Sequence, residues 1–370
     1  MAKPRPLDDL TVVEYGDGVA MRFCTRLLAR LGASVTKLTR PSGPAAQDDS
    51  GSLRTRAETV YLDQGKEELR LTTDPSDAEV FAHVRDADIV VRGLARGGAE
   101  ARALRAEFDN WVQARTVPLV YAAVTPFGTW GASASWKGGD INAQALSGWP
   151  SITGNPGEEP LTMNYGVGAM LHGVHATAAV LGAIVGRPDQ SRSEFVDVSE
   201  AEAVAASIHL YAATYRWARI PLVRDGFRAP GSSGRYPHTV FPCKDGLIAI
   251  ILRSDEQWDR FIEMLGRPEW SRDPRYQDYY AMGTAYPAEV DALVVPWFRA
   301  RTKAEISEIA RKYSVPLGAV RTLDEVLEDE QLAYRGFFET CTVAGREVSL
   351  PTLPVWWRTA TTRDSGQKGS

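Results

Sequence analysis

The stretch NYGVGAMLHGVHATAAVLGAI, residues 164–184, combines a glycine-rich turn with an apolar helical pattern that carries His172 and His175. It contains no carboxylate, and none occurs between Glu159 and Asp189. Imidazole titrates near neutral pH, so His172 can serve as a general base. A histidine on an apolar helix can instead satisfy a core hydrogen bond, and the sequence leaves both interpretations open.

A second segment of interest is APGSSGRYP, residues 229–237, which is rich in glycine, serine and proline. This composition indicates either a domain boundary or a loop over a reaction site. The hydroxyl groups of Ser232 and Ser233, with the backbone N–H groups around Gly234, can stabilise an oxyanion or a carboxylate.

The composition favours small-molecule chemistry. The 370 residues are 44% hydrophobic and 24% charged, with a net charge of -5. This balance argues against a nucleic-acid surface, and the three cysteines lack disulfide or metal-ligand spacing, so we predict no metal site. The longest apolar runs fall short of the ~20 residues that span a bilayer, and MAKPRPLDDL lacks a signal-peptide core. We therefore expect a cytoplasmic protein without a membrane partner.

Strand and helix patterns alternate along the first part of the chain. LTVVEYG, SVTKLTRP, ADIVVRGL, PLVYAAVTPFG and EFVDVS are strand candidates, and MRFCTRLLARLGA has helical spacing. After EFVDVS, Ser199 and Glu202 form a capping-box pattern that predicts one helix over EAEAVAASIHLYAATYRWA. The order predicts an α/β domain with a parallel sheet covered on both faces.

The pattern changes near residue 225. HTVFPC and LIAIIL flank KDG as a predicted hairpin. Helical spacing follows in SDEQWDRFIEMLG, EVDALVVPWFRAR, TKAEISEIARKY and LDEVLEDEQLAYRGFF. This part is predicted to be a smaller α+β unit.

In the order of its motifs the chain resembles the class III CoA-transferase family, which includes formyl-CoA transferase, carnitine CoA-transferases and alpha-methylacyl-CoA racemase. The resemblance covers nearly the whole chain. It rests on LDDLTVVEYGDGVAMRFCTRLLARLGASVTKLTRP, ADIVVRGLARGG, LVYAAVTPFGTWG, GGDINAQALSGWPSITG, FVDVSEAEA, FPCKDGLIAI and RTLDEVLEDEQLAYRGFF.

The resemblance implies a Rossmann-like large domain formed by both chain ends, residues 1–224 and 326–370. A small α+β domain at residues 225–325 would be inserted between them. It also implies two subunits threaded through each other as interlocked rings. In this arrangement the loop at residues 229–237 would cover the acyl group.

The resemblance implies a site for a CoA thioester, with no covalently bound cofactor. Residues 62–66 and 93–97 would lie along the nucleotide end, although the family's Asn-Arg is Asp63-Gln64 here and its Arg-Pro-Gly begins at Ala95. Positive side chains and backbone N–H groups suit phosphates. The residues assigned to CoA contacts are Lys37, Arg40, Gly65, Lys66 and Arg96.

The catalytic positions implied by the resemblance have lost their side chains. Family transferases use an Asp nucleophile, and that position is Ala169 here. Family racemases add a His in Gly-His-Asp-Ile-Asn, and that position is Gly139, followed by a retained Asp140 that we expect to be structural. His172 lies three residues after Ala169, so a helix places both on one face.

Three functions remain open from the sequence. The first is the non-nucleophilic subunit of a heteromeric CoA transferase whose paralogous partner supplies the Asp. The second is a homodimeric acyl-CoA lyase, dehydratase or isomerase that uses His172 as its base. The third is an acyl-CoA-binding protein without chemistry. In the first case the ligands are a CoA thioester and a carboxylic acid.

Overall fold

The computed structural model describes residues 5–40, 53–72, 76–186, 192–228, 234–343 and 345–355. Its largest sheet has six parallel strands in the order β3-β2-β1-β4-β5-β6. The chain order reverses between β1 and β4, which creates a crevice at the carboxyl ends of those strands. The six strands are β1 (Thr11–Gly16), β2 (Ser34–Thr39), β3 (Glu67–Arg70), β4 (Ile89–Gly93), β5 (Val120–Thr125) and β6 (Glu194–Ser199).

Helices cover both faces of this sheet, as the sequence predicts. The described helices of this part are α1 (Val19–Arg30), α2 (Leu53–Asp63), α3 (Asp77–Val84), α4 (Glu100–Gln113), α5 (Asp140–Ser147), α6 (Trp149–Ile152), α7 (Val167–Val185), α8 (Glu200–Ser207) and α9 (His209–Ala218). Alternate residues of β5 face opposite layers: Ala122 packs in the core under α1 and α7, and Tyr121 in the core under α3 and α4. Central strands of a parallel sheet are buried on both faces in this way.

Helix α7 packs tightly against α1, because Gly173 lets the two backbones approach. A Cβ at Gly173 would lie 2.6 Å from the Ala20 carbonyl oxygen. By length and composition alone, α7 is the one described helix that could cross a bilayer, contrary to the expectation from apolar runs. Its contacts with α1, β5 and β6 are those of a core helix.

A second sheet, β7-β8-β9, forms the smaller unit with its own apolar core. The predicted hairpin around KDG is present as the antiparallel pair β7 and β8. Ser254 accepts a hydrogen bond from Gln257 N and caps α10, which buries Trp258 and Phe261. The elements are β7 (His238–Cys243), β8 (Gly246–Ile251), α10 (Asp255–Met264), α11 (Tyr279–Thr284), α12 (Pro287–Arg299), α13 (Lys303–Tyr313) and β9 (Leu317–Val320), with short 3-10 helices at Glu269–Arg272 and Pro274–Tyr276.

The last described part contains α14 (Leu323–Leu327), α15 (Glu330–Tyr334) and a hairpin of β10 (Phe338–Val343) with β11 (Arg346–Pro351). The hairpin contacts α1. Arg26 of α1 donates to the Pro351 carbonyl oxygen at 2.7 Å, and Arg30 pairs with Glu339 at 3.1 Å. The predicted domain boundaries at residues 224 and 325 stay a prediction.

Two predicted helices are wrong in extent. The helix expected over residues 200–218 is interrupted at Ile208, whose N–H bonds to the Ala205 carbonyl in a tighter turn. The helical pattern over residues 323–338 is divided between α14 and α15, because the Asp329 carboxylate caps a new helix start by accepting from Leu332 N.

Candidate functional site

Four helix N-termini converge on one cavity at the carboxyl edge of the large sheet. We call it the Ala169 cavity, and its volume is about 270 Å³. The starts of α1, α5, α7 and α8 supply much of its wall, and the positive end of a helix dipole favours negative charge. Its lining residues are Asp17, Gly18, Val19, Ala20, Met21, Glu58, Leu94, Ala95, Val124, Thr125, Pro126, Asp140, Tyr165, Gly166, Ala169, His172 and Glu200.

Ala169 lies in the first turn of α7 and is almost fully buried. The helix begins after Gly166, whose φ of 72° belongs to the left-handed region that glycine adopts without strain. A Cβ at Gly168 would lie 2.6 Å from Oδ1 of Asp140, so that position has no room for a side chain. The glycine-rich turn thus brings α7 close to Asp140 and places the Ala169 methyl group in the cavity wall.

His172 follows one helical turn later and lines the same cavity. Its Nε2 lies 2.9 Å from the Val198 carbonyl oxygen, and because a carbonyl only accepts, Nε2 carries the ring hydrogen. Its Nδ1 has no hydrogen-bond partner within the described part of the chain and lies 3.9 Å from Oε2 of Glu200. Burial lowers the pKa of His172 to about 4. The ring is therefore neutral at neutral pH.

Asp140 is the first residue of α5, where it faces the N-terminal turn of α7. Its Oδ1 accepts a hydrogen bond from Gln144 Nε2 at 2.8 Å. The Gln144 side chain also donates from Nε2 to the Met163 carbonyl oxygen, and Oε1 of Gln144 accepts from Met163 N at 2.7 Å. These bonds fix Asp140 and support the expectation of a structural role, but its carboxylate also forms part of the cavity wall.

Glu200 is a functional candidate that the sequence analysis missed. It is the first residue of α8, directly after β6, and its side chain is only 6% exposed. Burial is the main cause that raises the pKa of Glu200 to about 9, and the neighbouring Asp140 carboxyl contributes the rest of the shift. A signal was present, because a carboxylate at the carboxyl end of a parallel strand points to the ligand edge of the sheet.

A second cavity, of about 310 Å³, adjoins the first at Asp17, Gly18 and Leu94. We call it the Arg92 cavity. Lys37 and Arg40 line it, as do two cations that sequence reasoning missed, Arg22 and Arg92. Its full lining is Glu14, Tyr15, Gly16, Asp17, Gly18, Arg22, Lys37, Leu38, Thr39, Arg40, Arg92, Leu94 and Glu100.

Most cations of the Arg92 cavity have a carboxylate partner. Asp63 pairs with both Arg22, at 2.9 Å, and Lys37, at 2.6 Å. These cations lower the pKa of Asp63 against the opposing effect of burial. Arg92 pairs with Glu100 at 2.8 Å.

Arg40 is different. Among the described residues it has no carboxylate partner, and its guanidinium contacts the hydroxyl group and the ring of Tyr15. Arg92 also lies over that ring, 4.5 Å from its centroid. Arg40 is thus the cation in this cavity whose charge is least neutralised.

Comparison with known proteins identifies the family. The sequence model that describes CoA-transferase family III matches residues 7–368. The chain belongs to CoA-transferase family III. Among solved structures, a CAIB/BAIF family protein from Brucella suis superposes with a TM-score of 0.81 at 22% identity, over 97% of this chain and 94% of that one. Rv3272 from Mycobacterium tuberculosis gives 0.79 at 19% identity, over 96% and 94%. These two structures share the fold.

Curated relatives of the family III chain are CoA-transferases. Succinyl-CoA--D-citramalate CoA-transferase of Chloroflexus aurantiacus is 29% identical over 343 residues, which is 90% of this chain and 82% of that protein. The alpha subunit of succinyl-CoA--L-malate CoA-transferase of the same organism is 25% identical, over 94% and 82%. Subunit BbsE of succinyl-CoA:(R)-benzylsuccinate CoA-transferase of Thauera aromatica is 27% identical, over 90% and 83%.

In this family III chain the structure brings together only part of the predicted site. Ala169, His172 and Asp140 meet in the first cavity, with Gly139 at the N-cap of α5 just outside its lining. A Cβ at Gly139 would lie 3.2 Å from the Ala95 carbonyl oxygen, so a larger residue would require the backbone at Ala95 to shift.

Four other predicted positions line neither cavity. Gly65 and Arg96 are exposed, and Gly234 lies beside Thr284 in the smaller unit. Lys66 is a correction: its Nζ is 2.6 Å from Glu14 with both side chains 1% exposed, so its charge is committed to an internal ion pair rather than to a phosphate. Ser232 and Ser233 lie outside the described residues.

Proposed function

We propose that the chain binds a CoA thioester along the two adjoining cavities, and that it is the non-nucleophilic subunit of a heteromeric CoA transferase that moves CoA between carboxylic acids. The nucleotide end would lie in the Arg92 cavity, where cations are concentrated, and the acyl end in the Ala169 cavity. The observation that carries the proposal is the methyl group of Ala169 in the cavity wall, where the family resemblance places the nucleophile.

The two carboxyl groups that lie against the start of α7, Glu200 and Asp140, support this assignment, because they are poor substitutes for the missing nucleophile. The raised pKa of Glu200, about 9, keeps it protonated at neutral pH, and a neutral carboxyl group attacks a thioester poorly. Asp140 is held by Gln144 and by Glu200 itself. Neither group is presented as a free carboxylate.

A partner subunit is supported by exposed apolar side chains around α9. Trp217 is 92% exposed, and the segment that follows exposes further apolar residues. Several large apolar side chains exposed within one short segment are typical of a protein contact. Two of the relatives are themselves named as subunits. The exposed residues are Leu210, Tyr215, Trp217, Ile220, Val223 and Phe227.

Covalent trapping tests the non-nucleophilic assignment. The purified chain would be incubated with succinyl-CoA, and its intact mass measured before and after hydroxylamine treatment. We expect no acyl or CoA adduct on the wild type. Ala169→Asp should gain a hydroxylamine-sensitive adduct, and Ala169→Asn, which has the same shape without the carboxylate, should not. An adduct on the wild-type chain would refute the assignment.

The heteromer is tested separately by native mass spectrometry of the complex isolated from the source cells. We expect a paralogous chain in the same complex, and that chain alone should trap acyl groups. A pure homodimer with robust transferase turnover would show that no second subunit is needed.

A second candidate is a lyase, dehydratase or isomerase with His172 as base, and the unpartnered Nδ1 of His172 favours it. A pKa of about 4 makes this nitrogen available but weakly basic, which is why we rank the candidate second. Turnover of an acyl-CoA by the isolated chain that is lost in His172→Gln would support it. Any such turnover would also exclude a purely ligand-binding role.

A further inference from the structure

Three buried polar atoms in the lining of the Ala169 cavity have no hydrogen-bond partner among the residues that the structure describes. They are Nδ1 of His172, Oε1 of Glu200 and Oγ1 of Thr125. Buried polar atoms are almost always hydrogen-bonded, so unmet groups gathered in one cavity indicate a site that a ligand or water completes.

The first unmet group is an acceptor. Because Nε2 of His172 donates to the Val198 carbonyl, the lone pair of the neutral ring is on Nδ1. No described donor reaches Nδ1. The hydrogen that satisfies Nδ1 must therefore come from whatever enters the cavity.

The second group, the Glu200 carboxyl, is a source of hydrogen. A hydrogen bond between the carboxyl groups of Asp140 and Glu200 requires one of them to be protonated. Oδ1 of Asp140 already accepts from Gln144 Nε2, whereas Oε1 of Glu200 has no partner among the described residues. The hydrogen is thus on Glu200, which can share it with a second acceptor in the cavity.

The distance between His172 and Glu200 fits a ligand that places one small polar atom against both side chains. Nδ1 of His172 and Oε2 of Glu200 are 3.9 Å apart, which is too long for a direct hydrogen bond. An oxygen atom to one side of this pair, about 2.8 Å from each of the two atoms, can bond to both groups. A carboxylate has no hydrogen for Nδ1, and an ammonium group has no lone pair for Glu200. A hydroxyl group has both.

We propose that His172 and Glu200 recognise a hydroxyl group on the acyl chain, so that the substrates are hydroxyacyl thioesters. The hydroxyl hydrogen bonds to Nδ1 of His172, and its oxygen accepts from Glu200. This inference rests on the proposed CoA-thioester site and narrows its acyl group. It makes His172 a specificity-determining residue rather than a base.

Matched thioesters test the inference. Binding of propionyl-CoA and lactoyl-CoA, and of butyryl-CoA and 3-hydroxybutyryl-CoA, would be measured by calorimetry on the full chain, with both enantiomers of each hydroxy compound. In at least one pair we expect the hydroxy compound to bind about tenfold more tightly. The readout is the ratio of the two affinities within a pair.

Two variants separate recognition from folding. The ratio should fall to about 1 in His172→Leu, which removes the acceptor, and should partly persist in His172→Gln, whose amide oxygen can accept. Ratios near 1 in the wild type, as expected if only water fills the gap, would overturn the inference, as would a preference that survives His172→Leu. If no thioester binds at all, the proposed CoA site fails, and the inference fails with it.

Discussion

The two adjoining cavities handle charge in opposite ways. In the Arg92 cavity the cations Arg22, Lys37 and Arg92 each have a carboxylate within 3 Å. Among the described lining residues of the Ala169 cavity there is no lysine or arginine, and burial beside Asp140 raises the pKa of Glu200 to about 9, which keeps that carboxyl group neutral. The first is a network of ion pairs; the second keeps hydrogen-bonding groups open.

This difference separates stability from recognition. A buried ion pair that loses one partner leaves an uncompensated charge, which is costly. A buried polar group that has no partner already carries that cost, so its removal should be neutral or stabilising. Substitutions in the two cavities should therefore shift the free energy of unfolding in opposite directions.

The largest loss is expected beside the Arg92 cavity, at Lys66. Its side chain and that of Glu14 are almost fully buried, with 2.6 Å between Nζ and Oε2. Lys66→Met leaves Glu14 without its cation and should lower the free energy of unfolding by about 3–5 kcal/mol, measured by urea denaturation. Adding Glu14→Gln should recover a large part of that loss. A loss below about 1 kcal/mol for Lys66→Met would contradict the expected difference in stability between the two cavities.

The opposite sign is expected for Glu200→Gln. Because the folded-state pKa of Glu200 is about 9, against an ordinary value of 4.5, the folded chain binds the extra proton between those pH values, and wild-type stability falls as pH rises through that interval. The variant lacks this penalty. It should match the wild type near pH 4.5 and be more stable by about 2–3 kcal/mol near pH 8.

Thermal and urea unfolding at several pH values would check this. Glu202→Gln is the matched control, because Glu202 lies on the same helix but is exposed, and its difference from the wild type should stay small across the range. A Glu200→Gln variant that is less stable than the wild type at pH 8 would show that Glu200 contributes favourably as a carboxylate.

A smaller effect is expected for His172 at acid pH. Its folded-state pKa is about 4, against 6.5, so the unfolded chain binds more protons and wild-type stability falls as pH drops from about 6.5 to 4. His172→Gln should remove up to about 2 kcal/mol of that acid loss. His209→Gln, at an exposed histidine of α9, should not. Equal acid sensitivity of wild type and His172→Gln would contradict the neutral buried ring.

The fold could be predicted in outline because it depends on patterns that are local in sequence. Buried strands such as Val120–Thr125 are apolar along most of their length, and the hairpin around KDG has a clear turn signal. The interruptions at Ile208 and Asp329 were missed, since apolar spacing continues across both breaks. Apolar periodicity shows which face of a helix is buried, but not where the helix stops.

The site could be predicted only where the register of the family motifs fixed it. That register placed Ala169 and Asp140 at one cavity. It missed Glu200, because an acidic residue after a strand also reads as an ordinary helix start, and its burial depends on packing against α5 and α7. The same limit applied to Lys66: sequence shows a cation near a phosphate-binding motif, but not the Glu14 carboxylate that neutralises it.

The smallest effects concern CoA affinity in the Arg92 cavity. Arg40 has no carboxylate partner among the described residues, whereas Lys37 is paired with Asp63. A phosphate must compete with Asp63 for Lys37 but not for Arg40. Arg40→Met should therefore weaken CoA binding by about tenfold, with a shallower salt dependence, in calorimetry at several salt concentrations.

The ranking of the variants matters more than the size of any one loss. Lys37→Met should weaken binding less than Arg40→Met, and Arg96→Met, at an exposed position outside both cavities, should change it least. If Lys37→Met were the most damaging, phosphate would have displaced Asp63 from its ion pair on binding. The Arg92 cavity would then be a network that opens for its ligand, and the contrast with the Ala169 cavity would hold only for the ligand-free chain.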